Sequence, residues 1–242
     1  MPKLGIGSSL TRAGLTKPGI VTDSLVLKHN YAAGGVVPVS DGAAFFDGTD
    51  DYISITETTL ETNGNCSISF WHKHGGAGST AWAVLGHTST GNEQYLRFIS
   101  ADGKLKFESD TASDVAEITL NTAFTDVQWH HYSLVFTSGT LTAYQDSVSL
   151  TVTNPSMSDD TTINLIGGQH TSGGSYNISG NLCNFGIWSG ALTQAQIKSI
   201  MWKNYAGLTS SETTGLVSWW NLDEADGSTV EDLHGSNDGT LA

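Results

Sequence analysis

The sequence predicts an all-β fold: an antiparallel two-sheet jelly-roll sandwich with one short helix and an extended N-terminal arm. Three observations predict it. Short runs of alternating apolar and polar residues recur along the chain, and turn dipeptides such as Asp47-Gly48 and Asp102-Gly103 separate them. The chain has 242 residues, enough for one large β core. Because antiparallel sandwich strands bury one face each, the alternation favours this architecture over parallel βαβ units.

The alternating runs indicate the strands in order along the chain. Apolar side chains take every second position at residues 53–55, 66–70, 96–98, 105–107 and 132–136. The runs are rich in β-branched and aromatic residues, which suit a pleated, half-buried surface. We expect the core to contain Ile68, Phe70, Leu134, Phe136, Phe185 and Ile187.

One later segment predicts a helix instead of a strand. Thr193 and Gln196 have the spacing of a capping box, in which each side chain bonds to the other residue's backbone N–H. Ile197, Ile200 and Met201 then fall on one helical face. We interpret this short helix as a structural element that packs against the sandwich.

The first 24 residues differ from the rest in charge and in pattern. Lys3, Arg12 and Lys17 give residues 1–22 a net charge of +3, whereas the remaining residues hold 7 bases and 24 acids, a net −17. The segment has no sustained period of 2 or 3.6 residues. It is either a frayed terminus or an extended assembly arm that becomes ordered on another protein. The arm is our working hypothesis, with the three basic residues as its contacts.

Several motifs occur in an order typical of one known family. They are FFDGTDDYISI (45–55), NCSISFWHK (65–73), VQWHHYSLVF (127–136) and GNLCNFGIWSGALTQAQI (180–197). Over about residues 25–205 the chain resembles the laminin-G-like, concanavalin-A-like lectin jelly rolls. The resemblance implies the sandwich fold and says less about function, because the fold hosts lectins, adhesins, enzymes and structural modules. The family hairpin commonly has Asp-Gly at its turn, where this chain reads Gln145-Asp146-Ser147.

The C-terminal segment, residues 216–242, resembles the family's opening segment, although residues 25–48 already occupy that place. The second copy either completes the same sandwich as an edge element or begins a truncated second module. We favour the first interpretation, because a lone hairpin has too small a core to be stable. The predicted organisation is therefore an arm at residues 1–24 and one laminin-G-like jelly roll at residues 25–242.

Three acidic residues in one turn form a candidate metal site. Asp47, Asp50 and Asp51 cluster there, and the resemblance implies calcium bound by carboxylates in such loops. Calcium takes six to eight oxygen ligands, which three aspartates and nearby carbonyls could supply. The alternative is that these residues cap the turn with side-chain hydrogen bonds.

Tryptophans are the candidates for carbohydrate binding. Sugars stack on aromatic rings, and the resemblance to lectins directs attention to Trp82, Trp188, Trp219 and Trp220. The alternative is that each ring lies in the core or lines a groove, as large aromatic side chains commonly do.

Charge and missing motifs exclude several functional classes. The net charge of −14 repels phosphates and argues against nucleic acid as the main partner. No apolar run approaches the ~20 residues that span a bilayer, and the first residues lack the apolar stretch of a secretory signal. The E-x-D-x-x-E string of related glycosidases fails at Ser113, and no nucleophile elbow or phosphate loop occurs. We therefore expect a protein that is not an enzyme.

Two functions remain, and both rest on binding. The first is a surface protein of a tailed-bacteriophage virion, such as a capsid decoration, fibre or tail-associated subunit, whose jelly roll binds host or environmental glycans. Its partners would be other virion proteins, reached through the N-terminal arm, and its localisation the virion, assembled in the host cytoplasm. The alternative is a secreted bacterial carbohydrate-binding or adhesion module. Genome context would separate the two, because capsid and tail genes as neighbours support the first.

Overall fold

The computed structural model describes residues 42–75, 81–88, 94–99, 103–109, 114–122, 127–169 and 176–242. The predicted arm, with Lys3, Arg12 and Lys17, lies outside the described residues. In chain order the strands are β1 (Ala44–Asp47), β2 (Ile53–Leu60), β3 (Cys66–His74), β4 (Ala81–Gly86), β5 (Tyr95–Ile99), β6 (Lys104–Glu108), β7 (Val115–Thr119), β8 (Trp129–Thr137), β9 (Thr140–Gln145), β10 (Val148–Ser149), β11 (Thr151–Thr153), β12 (Thr161–Ile166), β13 (Ser179–Trp188), β14 (Leu216–Trp220), β15 (Thr229–Val230) and β16 (Gly239–Leu241).

The strands form two sheets, and every strand pair within them is antiparallel. The first sheet has the order β1-β13-β3-β8-β9-β10. β14 also pairs with β13, at residues 185–188, whereas β1 pairs with residues 179–182. The second sheet has the order β11-β7-β6-β5-β4-β12-β2-β16-β15. The two sheets pack face to face and confirm the predicted sandwich.

Aromatic contacts across the sandwich show where the sheets meet. Phe98 of the second sheet lies 5.2 Å, centroid to centroid, from Tyr132 of the first. Phe107 and Phe136 make a similar contact at 5.0 Å. All six side chains expected in the core are at most 2% exposed, which confirms that prediction. The alternation predicted these core residues correctly because each strand packs one face against the opposite sheet.

The predicted helix is α1 (Gln194–Ile200), and its capping box forms as expected. Thr193 Oγ1 accepts from the backbone N–H of Gln196, whose side chain bonds back to the backbone of Thr193. The buried Ile197 and Ile200 pack against the face of the first sheet that points away from the shared core. That outer face therefore carries a second, smaller apolar layer under α1.

The C-terminal segment contributes strands to both sheets. In the first sheet β14 pairs with β13, with Phe185 opposite Trp220. In the second sheet β16 pairs with β2, with Leu241 opposite Ile53. Residues 216–242 thus pair with β13 in one sheet and with β2 in the other.

The β9–β10 turn keeps a hairpin geometry without glycine. Asp146 and Ser147 have φ values of 52° and 64°, the left-handed region at both central positions. Asp146 holds the turn through its carboxylate, which accepts from the backbone N–H of His131 at 2.9 Å and contacts His130 Nδ1 at 2.6 Å.

Within the described residues, no helix has the length and apolar character needed to cross a membrane.

Candidate functional site

The turn after β1 holds the three candidate metal ligands. Gly48 has a φ of +82°, which lets the chain reverse directly after Asp47. The Asp47 carboxylate accepts from the N–H of Thr49 at 2.7 Å, and Asp51 accepts from the N–H of Asp47 at 2.8 Å. Two of the three aspartates therefore cap the turn.

The same turn brings the three carboxylates together. One oxygen each from Asp47, Asp50 and Asp51 lies within 4.8 Å of the other two. Each turn-capping carboxylate has a second oxygen, and Asp50 accepts no hydrogen bond from another described residue. Three hard oxygen donors in one exposed turn are the ligand chemistry that calcium prefers, so these residues fit the metal that the resemblance implies.

The four candidate tryptophans lie in the interior, which corrects the prediction that they stack on sugar. Trp82, Trp188, Trp219 and Trp220 are 3%, 0%, 1% and 0% exposed. Trp188 donates to the carbonyl of Glu212 and Trp220 to the carbonyl of Asn237. Rings covered on both faces offer no surface for a sugar. Trp188 and Trp219 pack under α1, whereas Trp82 and Trp220 belong to the main core.

Two other aromatic side chains are exposed and were not among the candidates. Phe45 is 64% exposed on β1, and Trp202 is 52% exposed just after α1. Phe45 follows the alternation of its strand, since its neighbour Phe46 is fully buried. The motif FFDG contained this signal, because two adjacent aromatic residues in a strand must point to opposite faces.

A polar and aromatic cluster covers part of the outer face of the second sheet. The Arg97 guanidinium lies 3.8 Å from the ring centroid of Tyr95 and 4.7 Å from that of Tyr176. It donates to Gln169 at 3.3 Å and to the Tyr95 hydroxyl at 2.8 Å, and that hydroxyl donates to Glu108. Sequence reasoning missed this cluster, because its members come from β5, β6 and two positions beyond β12.

Two donors of this cluster have no hydrogen-bond acceptor among the described residues. They are Nε of Arg97 and Nε2 of Gln169, both shielded from solvent. A buried donor without an acceptor costs roughly 1–3 kcal/mol, because its lost hydration is not replaced. These two donors do not reach solvent, whereas the ring of Tyr176 and the side chain of Arg97 are partly exposed.

The histidines of β3 and β8 are buried without converging on a metal. Burial lowers the pKa of both His72 and His131 to about 3. His131 Nε2 lies 2.7 Å from Ser69 Oγ, but these residues are 2% and 1% exposed, so a substrate has no path to this pair. Cys66 and Cys183 are buried free thiols, and burial raises the pKa of Cys66 to about 12. These groups contribute to packing.

Comparison with known proteins places this geometry in a family. A laminin-G family model, described as the concanavalin A-like lectin/glucanases superfamily, matches residues 47–198. A Bacteroides ovatus protein to which carbohydrate binding has been ascribed is similar in structure, with a TM-score of 0.59 and 20% identity. The match covers 82% of this chain, which spans 57% of the length of that protein.

Two further structures are more distant. The heptameric SAP-like pentraxin of Limulus polyphemus has a TM-score of 0.45 at 16% identity, over 64% of this chain and 83% of its own. A Trypanosoma rangeli sialidase has a TM-score of 0.40 at 14% identity, over 57% of this chain and 23% of its own. Comparison with curated proteins found no match.

Proposed function

The chain belongs to the concanavalin A-like lectin/glucanases superfamily, and from that premise we propose that it is a glycan-binding module without enzymatic activity. The observation that carries the proposal is the Arg97 cluster on the outer face of the second sheet. Arg97 and Tyr176 are its partly exposed members, whereas Gln169 is 1% exposed and holds Arg97 through their hydrogen bond. The guanidinium of Arg97 can donate to sugar hydroxyls, and a sugar ring packs its apolar face on an aromatic side chain such as Tyr176.

Calcium is part of the proposal. The carboxylates of Asp47, Asp50 and Asp51 would hold the ion, and a bound calcium ion can accept sugar hydroxyls as further ligands. The chain's own contribution is a turn that places three oxygens within 4.8 Å before any metal binds.

Calcium at this turn is expected to raise the melting temperature. An ion that binds only the folded state adds about 2.7 kcal/mol to the free energy of unfolding at 100 times its Kd. Asp50→Asn should abolish the increase while leaving both capping hydrogen bonds of the turn in place. The exposed Asp226→Asn serves as the matched control, and melting by scanning fluorimetry gives the readout. If millimolar calcium does not change the melting temperature of the wild type, the aspartates cap the turn and do not bind calcium.

Glycan binding is tested on an array of neutral and acidic oligosaccharides, with and without calcium. We expect the wild type to retain at least one glycan. Tyr176→Ala should weaken its binding to the outer face of the second sheet about tenfold, since the ring supplies apolar area worth roughly one factor of ten. Tyr144→Ala, a half-buried tyrosine of the first sheet, is the control. If the wild type retains no glycan, or if Tyr176→Ala binds neutral glycans like the wild type, the Arg97 cluster is not a glycan-binding site.

We also propose that this module acts on the surface of a tailed-phage virion. The support is the charge contrast between residues 1–22, at +3, and the remaining chain, at −17, because a basic segment can attach to an acidic neighbouring subunit. Deletion of residues 1–24 should leave glycan binding intact and remove the protein from particles in antibody-labelled micrographs. If the chain is instead exported by a bacterium, and deletion of residues 1–24 removes it from no particle, the secreted adhesion module is supported.

A further inference from the structure

The outer face of the first sheet carries a row of side chains that α1 does not cover. The register aligns Phe45 of β1 with Asn181 of β13, Asn181 with Lys73 of β3, and Lys73 with Trp129 of β8. Directly opposed residues of neighbouring strands point to the same face. We call these four residues the outer row. It extends over four adjacent strands, about 14 Å at the usual strand spacing.

The burial of neighbouring residues shows that the outer row points away from the core. The next residues along the strands, Phe46 and Leu182, are fully buried in the main core. Trp71, two positions before Lys73, belongs to a separate small cluster with Cys183 and Met201, against which Trp129 is half-buried.

The outer row combines apolar rings with polar groups that can bind a ligand. Phe45 is 64% exposed, while Lys73, Asn181 and Trp129 are half-buried. Trp202, 52% exposed, adds a further ring beside the row, since its centroid lies 6.1 Å from that of Trp71. Aromatic rings at both ends with an amide and an ammonium between them suit a chain of sugar rings more than a flat apolar partner.

The charge of Lys73 indicates which class of sugar the outer row binds. Of the six basic residues that the structure describes, Lys104 and Lys106 pair with Glu117, Lys203 pairs with Glu212, and Arg97 donates to Gln169. Lys198 is exposed, and the half-buried Lys73 forms no ion pair or hydrogen bond with another described side chain. One ligand carboxylate complements this single lysine, whereas the net charge of −14 repels a ligand with many carboxylates.

We infer that the outer row is a second glycan-binding surface, specific for oligosaccharides that carry one carboxylate, such as a single uronate among neutral sugars. The inference rests on the proposed function, because it assigns a sugar class to a face that the Arg97 cluster does not include. Such an oligosaccharide lies along the row, its rings on Phe45 and Trp129, its hydroxyls on Asn181 and its carboxylate on Lys73.

The test compares two matched probes by titration calorimetry on the full chain: a galactose hexasaccharide with one galacturonate residue, called the galacturonate probe, and the neutral galactose hexasaccharide. The wild type should bind the galacturonate more tightly, and raising the salt concentration should weaken that binding, because exposed charges are screened within about 3 Å at 1 M. Phe45→Ala and Lys73→Gln should each weaken galacturonate binding about tenfold.

The controls keep the inference separate from the proposed function. Lys198→Gln removes an exposed lysine from α1 and Val148→Ala an exposed apolar side chain from β10, and both should bind like the wild type. Tyr176→Ala should not alter galacturonate binding to the outer row. Circular dichroism checks that each variant is folded.

Two results would overturn the inference while glycan binding itself stands: equal affinity for the two probes, or galacturonate binding that Phe45→Ala and Lys73→Gln leave unchanged. A wild type that sediments as a dimer and becomes monomeric on Phe45→Ala would assign the row to a second copy of the chain. A wild type that retains no sugar on the wider array would refute the proposed function instead.

Discussion

Acidification from pH 8 to pH 4.5 is expected to remove about 5 kcal/mol from the free energy of unfolding, through His72 and His131. Both side chains are 2% exposed, and burial lowers the pKa of each from 6.5 to about 3. Between these values the unfolded chain binds a proton at each histidine and the folded chain does not. The stabilising contribution is therefore complete above pH 6.5 and decreases as the pH falls towards 3.

Variants separate the two histidines. Each should contribute about 1.4 kcal/mol for every pH unit below 6.5, so His72→Gln and His131→Gln should each remove that amount from the slope. The double variant should keep only the part that His74 contributes, because burial lowers the pKa of that side chain as well. Urea unfolding at several pH values measures this directly. A free energy of unfolding that stays constant between pH 7 and pH 5 would show that water or a moving side chain solvates these histidines.

Replacing Trp220 with alanine is expected to cost about 3–5 kcal/mol, the range for deleting a large aromatic side chain from a core. Trp220 is fully buried, lies 6.1 Å from Phe185 between ring centroids, and donates to the carbonyl of Asn237 at 3.0 Å. It belongs to β14, so the loss measures how firmly the C-terminal segment is built into the sandwich.

Trp202→Ala provides the matched control for this second prediction. The same side chain is removed from a position that is 52% exposed, and surface substitutions usually change stability by about 0.5 kcal/mol or less. Urea unfolding gives both values. Losses of equal and small size would mean that residues 216–242 pack outside the core, as in a truncated second module.

Local pattern was sufficient to predict the sandwich and its helix. Ile68, Phe70, Leu134 and Phe136 take every second position, and this period identified the face of β3 and β8 that packs against the opposite sheet. The capping box of Thr193 is likewise a short-range signal. The turn aspartates lie within five residues, so their proximity followed from the sequence.

The binding surfaces could not be predicted in the same way. Arg97 meets Gln169 across 72 positions of sequence, and the outer row joins four strands whose order is not a local property. The prediction that tryptophans stack on sugar was wrong, because the sequence does not show which layer of the fold buries each ring. Trp188 and Trp219 point away from the main core and are covered by α1 together with Tyr205, Leu208 and Leu216, which follow it in the chain.

The measurement that tests the central claim most directly is a crystal structure of the chain with the oligosaccharide it retains best, grown in calcium. We predict that sugar lies on an outer face of the sandwich, with a ring against Tyr176 and hydroxyls accepting from Arg97, or along the outer row if the sugar carries a carboxylate. Sugar bound at neither surface, or a chain that retains no glycan from the array, would contradict the account.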